Sequence, residues 1–322
     1  MAMSERPLGV LGFSFNKGQP RGGTEQGPRV LRNAGILDAL ERVGNAVVDH
    51  SNVELPNPPD EGRDNIAKNC RAVGTANKKL SEEVSRYLKK GERLLVLGGD
   101  HSLGIGSIHG HAQAQPDVVI VWVDAHADLN TPMSSSSGNM HGMPLSFLIR
   151  ELVEFMPQTP GLDWCKPCLS AKDVVYIGLR DVDPAERLFI EKLGITSFSM
   201  QEVDKFGIRE VVEKALKAVD PSGKRPIHVS FDVDVMDPAH ASATGTPVPG
   251  GLSLRESFYL AEEIAATGRL AVLDIAEVNP LLSNADGQKT TVANAVDVTA
   301  KFYGSKRQGD VPRDYVIPRP QA

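Results

Sequence analysis

Residues 118–131 read VVIVWVDAHADLNT. An unbroken apolar run, 118–123, leads straight into Asp124, His126 and Asp128. A run this short and continuous is the pattern of a strand covered on both faces, where no position alternates toward water. Comparable runs lie at Leu8–Gly12, 94–97 (LLVL), 174–177, 227–231 and 270–275. Between them, helical patterns cover 64–89, 185–192, 208–218, 254–267 and 290–302. Strands alternating with helices along the whole chain predict an α/β fold with a mainly parallel, doubly wound sheet.

Composition narrows the function classes. The chain has 322 residues, 41 % of them apolar, enough for a sizeable core and too much for a disordered chain. With 35 Lys plus Arg against 41 Asp plus Glu, the net charge is −6, which argues against a nucleic-acid binder with its basic face. The longest apolar runs are far short of a membrane span, and MAMSERPLGVLGF (1–13) has no signal-peptide core. Three cysteines, Cys70, Cys165 and Cys168, cannot all pair within one chain and suit a reducing compartment, so a soluble cytoplasmic protein is expected. No repeat and no break in composition supports a second domain. The expectation is one domain over 1–304 and a Pro- and charge-rich tail over 305–322, lying on the surface, against another subunit or partly disordered.

Three strand ends carry ligand chemistry. In an extended chain Asp124, His126 and Asp128 share one face, at the carboxyl end of a strand where open α/β sheets bind ligands. SFDVDVMDP (230–238) repeats the logic with Asp232 and Asp234, and GGDHS (98–102) with His101, whose preceding glycines allow close backbone approach. A lone DxHxD can be a turn with solvated carboxylates. Three such ends together place two imidazoles and four carboxylates in one region, costly to desolvate unless cations pair them. That set carries too much negative charge for one ion and suits two divalent cations, Mn²⁺ or Mg²⁺ better than structural Zn²⁺. Asp100 and Asp237 read as turn or capping residues.

GGDHS, DAHADLNT (124–131) and SFDVDVMDP resemble the signature blocks of the ureohydrolases, the manganese amidinohydrolases. The resemblance runs from KGQPRGG (17–23) to EVNP (277–280). SGNMHG (137–142), GLRDVDPAE (178–186) and TGTP (244–247) are similar to the substrate loops of animal-type arginases. It implies an α/β/α sandwich around an eight-stranded parallel sheet, two Mn²⁺ per subunit, L-arginine as substrate and a homotrimer with the tail, Arg255 and Glu256 at its interface. One ion would be held by His101, Asp124, Asp128 and Asp232, the other by Asp124, His126, Asp232 and Asp234. Ala127, Ser135, Val235-Met236 and Ala276 depart from the usual family residues, and none is a ligand.

The implied reaction is hydrolysis of arginine to ornithine and urea by a hydroxide that the two ions activate. Asp128 would orient it and supply a proton to the departing amine. Glu277 would pair with the guanidinium, and His141 would exchange protons with solvent. Asn130, Ser137 and Asn139 would meet the substrate carboxylate, Asp183 and Glu186 its ammonium, and Thr246 and Arg21 lie near the site. Taken singly, Asp183 or Glu186 would be a solvated charge at a helix start, and His141 an ordinary loop residue. An agmatinase or other ureohydrolase, and an inactive metal-binding relative, are the alternatives. WCKPC (164–168) mimics a redox motif but lacks the strand before and helix after that such a motif needs. His109 and His111 are expected on a helix surface, and His228 in the core or behind a ligand.

Overall fold

A computed structural model of the chain describes residues 6–57, 67–311 and 315–319. Its strands are β1 (Leu8–Gly12), β2 (Val47–Asn52), β3 (Arg93–Leu97), β4 (Val119–Val123), β5 (Val174–Leu179), β6 (Thr196–Ser199), β7 (Ile227–Asp232) and β8 (Leu270–Ala276). They form one sheet in the order β2-β1-β3-β8-β7-β4-β5-β6. Every neighbouring pair is parallel. The helices are α1 (Gly27–Asn33), α2 (Ile36–Arg42), α3 (Cys70–Lys89), α4 (Gly104–Ala114), α5 (Pro144–Leu148), α6 (Pro184–Leu193), α7 (Met200–Val219), α8 (Leu254–Ala266) and α9 (Ala285–Phe302).

The apolar runs explain the three layers. In β4, Val119, Val121 and Val123 join a core with Leu31, Leu40, Val212, Leu260 and Val298 from α1, α2, α7, α8 and α9. The alternate residues Ile120 and Trp122 face the other side, among Ile108, Leu145 and Ile190 of α4, α5 and α6. Both faces of each central strand are therefore dry, and truncating the fully buried Trp122 to Ala would cost about 3–5 kcal/mol.

All six strand runs read in the sequence are present. The two further strands, β2 and β6, are the sheet edges, and their half-exposed, polar residues (VVDHSN and TSFS) hide the period. Of the helical stretch 64–89, residues 64–66 lie outside the described residues and the helix begins at Cys70. The stretch 208–218 is the second part of α7, which breaks at Gly207 with φ 74°. His109 and His111 are not on the surface. They are 7 % and 0 % exposed, because α4 is wedged between the sheet and α3 and has no solvent face at these positions. A Cβ on Gly106 or Gly110 would run into the α3 carbonyls of Asn77 and Ser81. In the tail, Ser305 is buried and Arg307 pairs with Glu262, whereas Val311, Tyr315, Val316 and Ile317 are exposed.

Candidate metal and substrate site

The chain passes from β3 through α4 to β4, and β8 and β7 later fill the gap between them. At this switch in strand order the carboxyl ends of β3, β8, β7 and β4 stand side by side, the place where open α/β sheets bind ligands. The residues at or just beyond those ends are GGDHS, Glu277, Asp232 to Asp234, and Asp124 to Asp128.

The turn after β3 is forced by contact. A Cβ on Gly99 would overlap the Phe15 carbonyl, and one on Gly98 would meet the Ile275 carbonyl at 2.6 Å. Asp100 then accepts the Ser102 N–H at 3.0 Å and the Gly18 N–H at 2.8 Å, so it shapes the turn that presents His101. Burial, followed by the charge of Glu277, raises the Asp100 carboxyl to about 6.

The ligand residues of β4 and β7 converge through turns, not along extended strands as the period-two reading expects. β4 ends at Val123. The Asp124 carboxylate accepts the His126 N–H at 2.7 Å, and Asp128 adopts φ 49°, a left-handed conformation unusual for a non-glycine. β7 closes with Asp232, whose carboxylate accepts the Asp234 N–H at 2.8 Å to start a short 3-10 turn. Glu277, after β8, also has positive φ, 63°. Such strain persists only where surrounding contacts over-determine it, and here it aims carboxylates inward.

The result is a compact donor set. His101 Nδ1 lies 3.0 Å from Asp124, 3.3 Å from Asp128 and 3.1 Å from Asp232 carboxylate oxygens. His126 Nδ1 lies 3.4 Å from Asp124 and 3.2 Å from Asp234. Ligand atoms of His101, Asp124 and Asp128 fall within 4.8 Å of one another, as do those of Asp124, His126 and Asp234. The two groups share Asp124. His101 Nδ1 is fully buried and forms no hydrogen bond of good geometry with any of its three oxygens. One ring N–H could satisfy only one of them, whereas a cation among the groups satisfies all. The oxygen-rich set with imidazole and no thiolate therefore fits two hard-to-borderline divalent ions.

The electrostatics carry the same tension. Burial and the Asp124 charge push the Asp128 carboxyl well above the usual range, and burial with Asp234 and Asp124 does the same to Asp232. For Asp124 burial works upward, but the His101 and His126 rings outweigh it and lower the value. Burial works against a charged ring at His101, and the adjacent carboxylates of Asp124 and Asp232 reverse it, raising that pKa.

Residues behind the ligands hold them. The Trp122 indole stacks on His101 with ring centres 4.2 Å apart and donates to Asp124 at 3.0 Å. His101 Nε2 lies 2.9 Å from Ser230 Oγ, which donates to Asp274 at 3.3 Å. Asp274 also meets His228 Nε2 at 2.9 Å. This leaves His101 Nδ1 as the ligand atom. The Arg180 guanidinium donates to the carbonyls of Asp234 (2.6 Å), Val235 (3.2 Å) and Val248 (2.7 Å), clamping the turn that carries Asp234. Val235 is fully buried and fills the space a Cβ on Gly178 would need. Sequence reading missed Asp274 and Arg180. A carboxylate inside an otherwise apolar strand, LAVLDIA, was a usable signal for the first, and for Arg180 the signal was its place in GLRDVDPAE.

On the substrate side, Glu277 Oε1 accepts the His101 N–H at 2.9 Å and faces His141 Nδ1 at 3.3 Å. Asn130 donates to Asp183 at 2.8 Å and accepts from Ser134 at 2.8 Å, so its amide is tied to the loop. Glu186 accepts the N–H groups of Leu129 and Asp183, both at 2.9 Å, and thereby welds the start of α6 to the ligand loop. Burial lifts Glu186 to about 7. Asp183 and Ser137 are exposed and Asn139 half-buried at the rim. Thr246 donates to Asp234 at 3.1 Å, which places it against a ligand. Asp237 accepts from Ala239 and Gly250 in a turn, as its sequence setting suggests.

Known proteins share this arrangement of chain. The model of the Arginase family matches residues 6–304. Over 320 residues, 99 % of each chain, the sequence is 51 % identical to Arginase-1 of Oryctolagus cuniculus. The structure of arginase from Bacillus caldovelox superposes with TM-score 0.85 at 34 % identity, covering 94 % of this chain and 99 % of that one. Entamoeba histolytica arginase in complex with L-ornithine gives 0.82 at 32 % identity, covering 93 % and 99 %.

Proposed function

The chain belongs to the arginase family, and on that footing we propose how its residues divide the work. It is a metal-dependent amidinohydrolase that converts L-arginine to L-ornithine and urea. His101, Asp124, Asp128 and Asp232 would hold one Mn²⁺, and Asp124, His126, Asp232 and Asp234 the other. When bound, the ions supply the Lewis acidity that makes water nucleophilic near neutral pH, which a resonance-stabilised guanidinium otherwise resists.

The chain's own groups do the rest. Glu277, 1 % exposed, receives the guanidinium N–H groups and holds the electrophilic carbon beside the ligand carboxylates. Asp128 takes the proton that the attacking water releases and passes it to the departing ornithine nitrogen. His141, its side chain 19 % exposed and facing Glu277, shuttles the remaining proton, lost as the intermediate's hydroxyl becomes the urea carbonyl, between the site and solvent. Ser137 and Asn139 address the substrate carboxylate at the rim, and Asp183 the ammonium. Asn130, Glu186 and Thr246 hold Asp183, the Leu129 backbone and Asp234 in place.

The observation that carries this reading is the buried His101 Nδ1 ringed by three carboxylate oxygens without a hydrogen bond. The test is urea release from arginine and from agmatine at equal concentration. Arginine is the expected substrate, because a loop that reads the carboxylate loses a partner in agmatine. Preference for agmatine overturns the loop assignment. We propose further that 1–304 is the catalytic domain and that the protein works as a cytoplasmic homotrimer. The exposed apolar residues of the tail support the assembly, which light scattering measures. The sparse, odd cysteine count supports the compartment.

A further inference from the structure

The segment 17–21, KGQPR, touches the His101 turn, the His141 loop, Glu277 and the loop bearing Thr246. The Gly18 N–H donates to Asp100 at 2.8 Å, and the Gly18 carbonyl accepts the His141 N–H at 3.0 Å. The Arg21 guanidinium donates to the Gly245 carbonyl at 2.6 Å, in the loop that bears Thr246. Between them Gln19, 6 % exposed, sends its amide nitrogen to Glu277 Oε2 at 3.3 Å and to Thr24 Oγ1 at 3.4 Å. Its amide oxygen accepts the Arg21 N–H at 3.3 Å, which fixes which end of the amide faces the carboxylate.

Glu277 is thus held on both oxygens by different means. Oε1 is tied to the His101 backbone, which cannot move without the ligand turn, and Oε2 is tied to Gln19 alone among the described residues. Among the described residues no other hydrogen bond reaches Oε2 to stop the carboxylate from rotating about its Oε1 anchor. A guanidinium offers two parallel donors and needs both oxygens in one fixed plane.

We infer that Gln19 is the positioning residue that sets the carboxylate plane of Glu277 for the guanidinium, and so contributes to the discrimination of guanidino ligands from amines. The inference rests on the reading of Glu277 as the guanidinium partner. Gln19 is neutral, so it orients Oε2 without cancelling the charge the substrate needs, which a lysine in its place would do.

Two variants test it in the full-length Mn²⁺-loaded enzyme. Gln19→Met keeps length and bulk without the donor. Gln19→Glu keeps the shape and sets a second carboxylate against Glu277. For both, kcat/KM for arginine falls roughly 10- to 100-fold, mostly through KM, while the inhibition constant of ornithine, which has no guanidinium, is unchanged within error. Unchanged arginine kinetics, or equal weakening of arginine and ornithine, overturns the inference. Failure of Gln19→Met to fold leaves Gln19→Glu to decide, and failure of both marks Gln19 as a residue of the fold and overturns it too. Glu277→Gln in parallel separates the two layers. If it binds arginine normally, the Glu277 reading has failed. If it loses arginine selectively while the Gln19 variants do not, only the Gln19 inference has failed.

Discussion

Glu277 accepts the backbone N–H of His101 at 2.9 Å, so the carboxylate assigned to the guanidinium and an imidazole assigned to a metal ion are joined by one hydrogen bond between β8 and β3. Moving either strand end moves both. The positive φ of Glu277, 63°, is the backbone cost of that alignment, and the Glu277 N–H bond to the Gly99 carbonyl at 2.9 Å holds it there.

Removing the charge and keeping the shape is the cleanest test of that carboxylate. Glu277→Gln should lower kcat/KM for arginine by about 100-fold or more, the scale expected when a charge-assisted bidentate pair becomes neutral. Metal content should be unchanged. Loss of metal together with activity would assign Glu277 to the metal centre instead.

Asp234 belongs to one of the two ligand groups, with Asp124 and His126. Asp234→Ala should therefore release about one ion of the two and reduce turnover by more than about 100-fold, beyond what loss of an outer hydrogen-bond partner costs. Elemental analysis after dialysis reads the stoichiometry. Two retained ions with near-normal activity would remove Asp234 from the ligand set.

Arg180 acts on the same turn from outside, through three carbonyls in a row, those of Asp234, Val235 and Met236. A lysine has the charge but not the planar fork that reaches several acceptors. Arg180→Lys should lower the melting temperature and weaken retention of the ion beside Asp234 by roughly tenfold, the lower end of such effects. An unchanged metal titration would confine Arg180 to the loop 244–251.

His111 predicts a pH dependence of stability. Burial and then the neighbouring His228 lower its pKa from 6.5 to about 3 in the folded chain. The unfolded ring takes a proton first, so this group leaves stability untouched above the unfolded value and erodes it as pH falls from there toward the folded one. The slope is at most about 1.4 kcal/mol per pH unit. Urea midpoints at pH 7.5 and pH 5 should fall further apart in the parent protein than in His111→Gln, by an amount equivalent to about 2 kcal/mol. Equal shifts in both would show that the ring is not held neutral.

Burial also raises both thiols of WCKPC, that of Cys168 to about 12. They lie on a loop after a 3-10 turn and before β5, with no helix opening at Cys165. Alkylation at pH 7.5 should be slow in the native protein and fast once it is unfolded. Rapid native labelling would reopen the redox reading.

How much of this was legible in the sequence depended on where each residue lies. The six inner strands announced themselves because both faces are buried, which makes an unbroken apolar run. β2 and β6 did not, because an edge strand such as TSFS is half wet and polar. The identities of Asp124, His126, Asp128, Asp232 and Asp234 were readable, but the route by which they meet was not. Strand periodicity picks out residues that do come together, but by another route, since φ 49° at Asp128 and the turn after Asp232 do the converging. His111 was misjudged because helical spacing alone cannot show that α4 is covered on the side where a surface helix would meet water. Gln19 and Arg180 lie within KGQPRGG and GLRDVDPAE, but their roles were not legible there. Their role consists of contacts to residues more than 50 positions away, at Glu277 and Asp234, and no local pattern encodes those.

The central claim is that two cations bound by the His101–Asp234 cluster are required for hydrolysis. The most direct measurement is urea production by metal-stripped protein, before and after titration with Mn²⁺, with bound metal counted alongside. The account predicts no urea without metal and activity that rises to saturation as two Mn²⁺ bind per chain. Turnover by metal-free protein, or two bound Mn²⁺ without any urea from arginine, would contradict it.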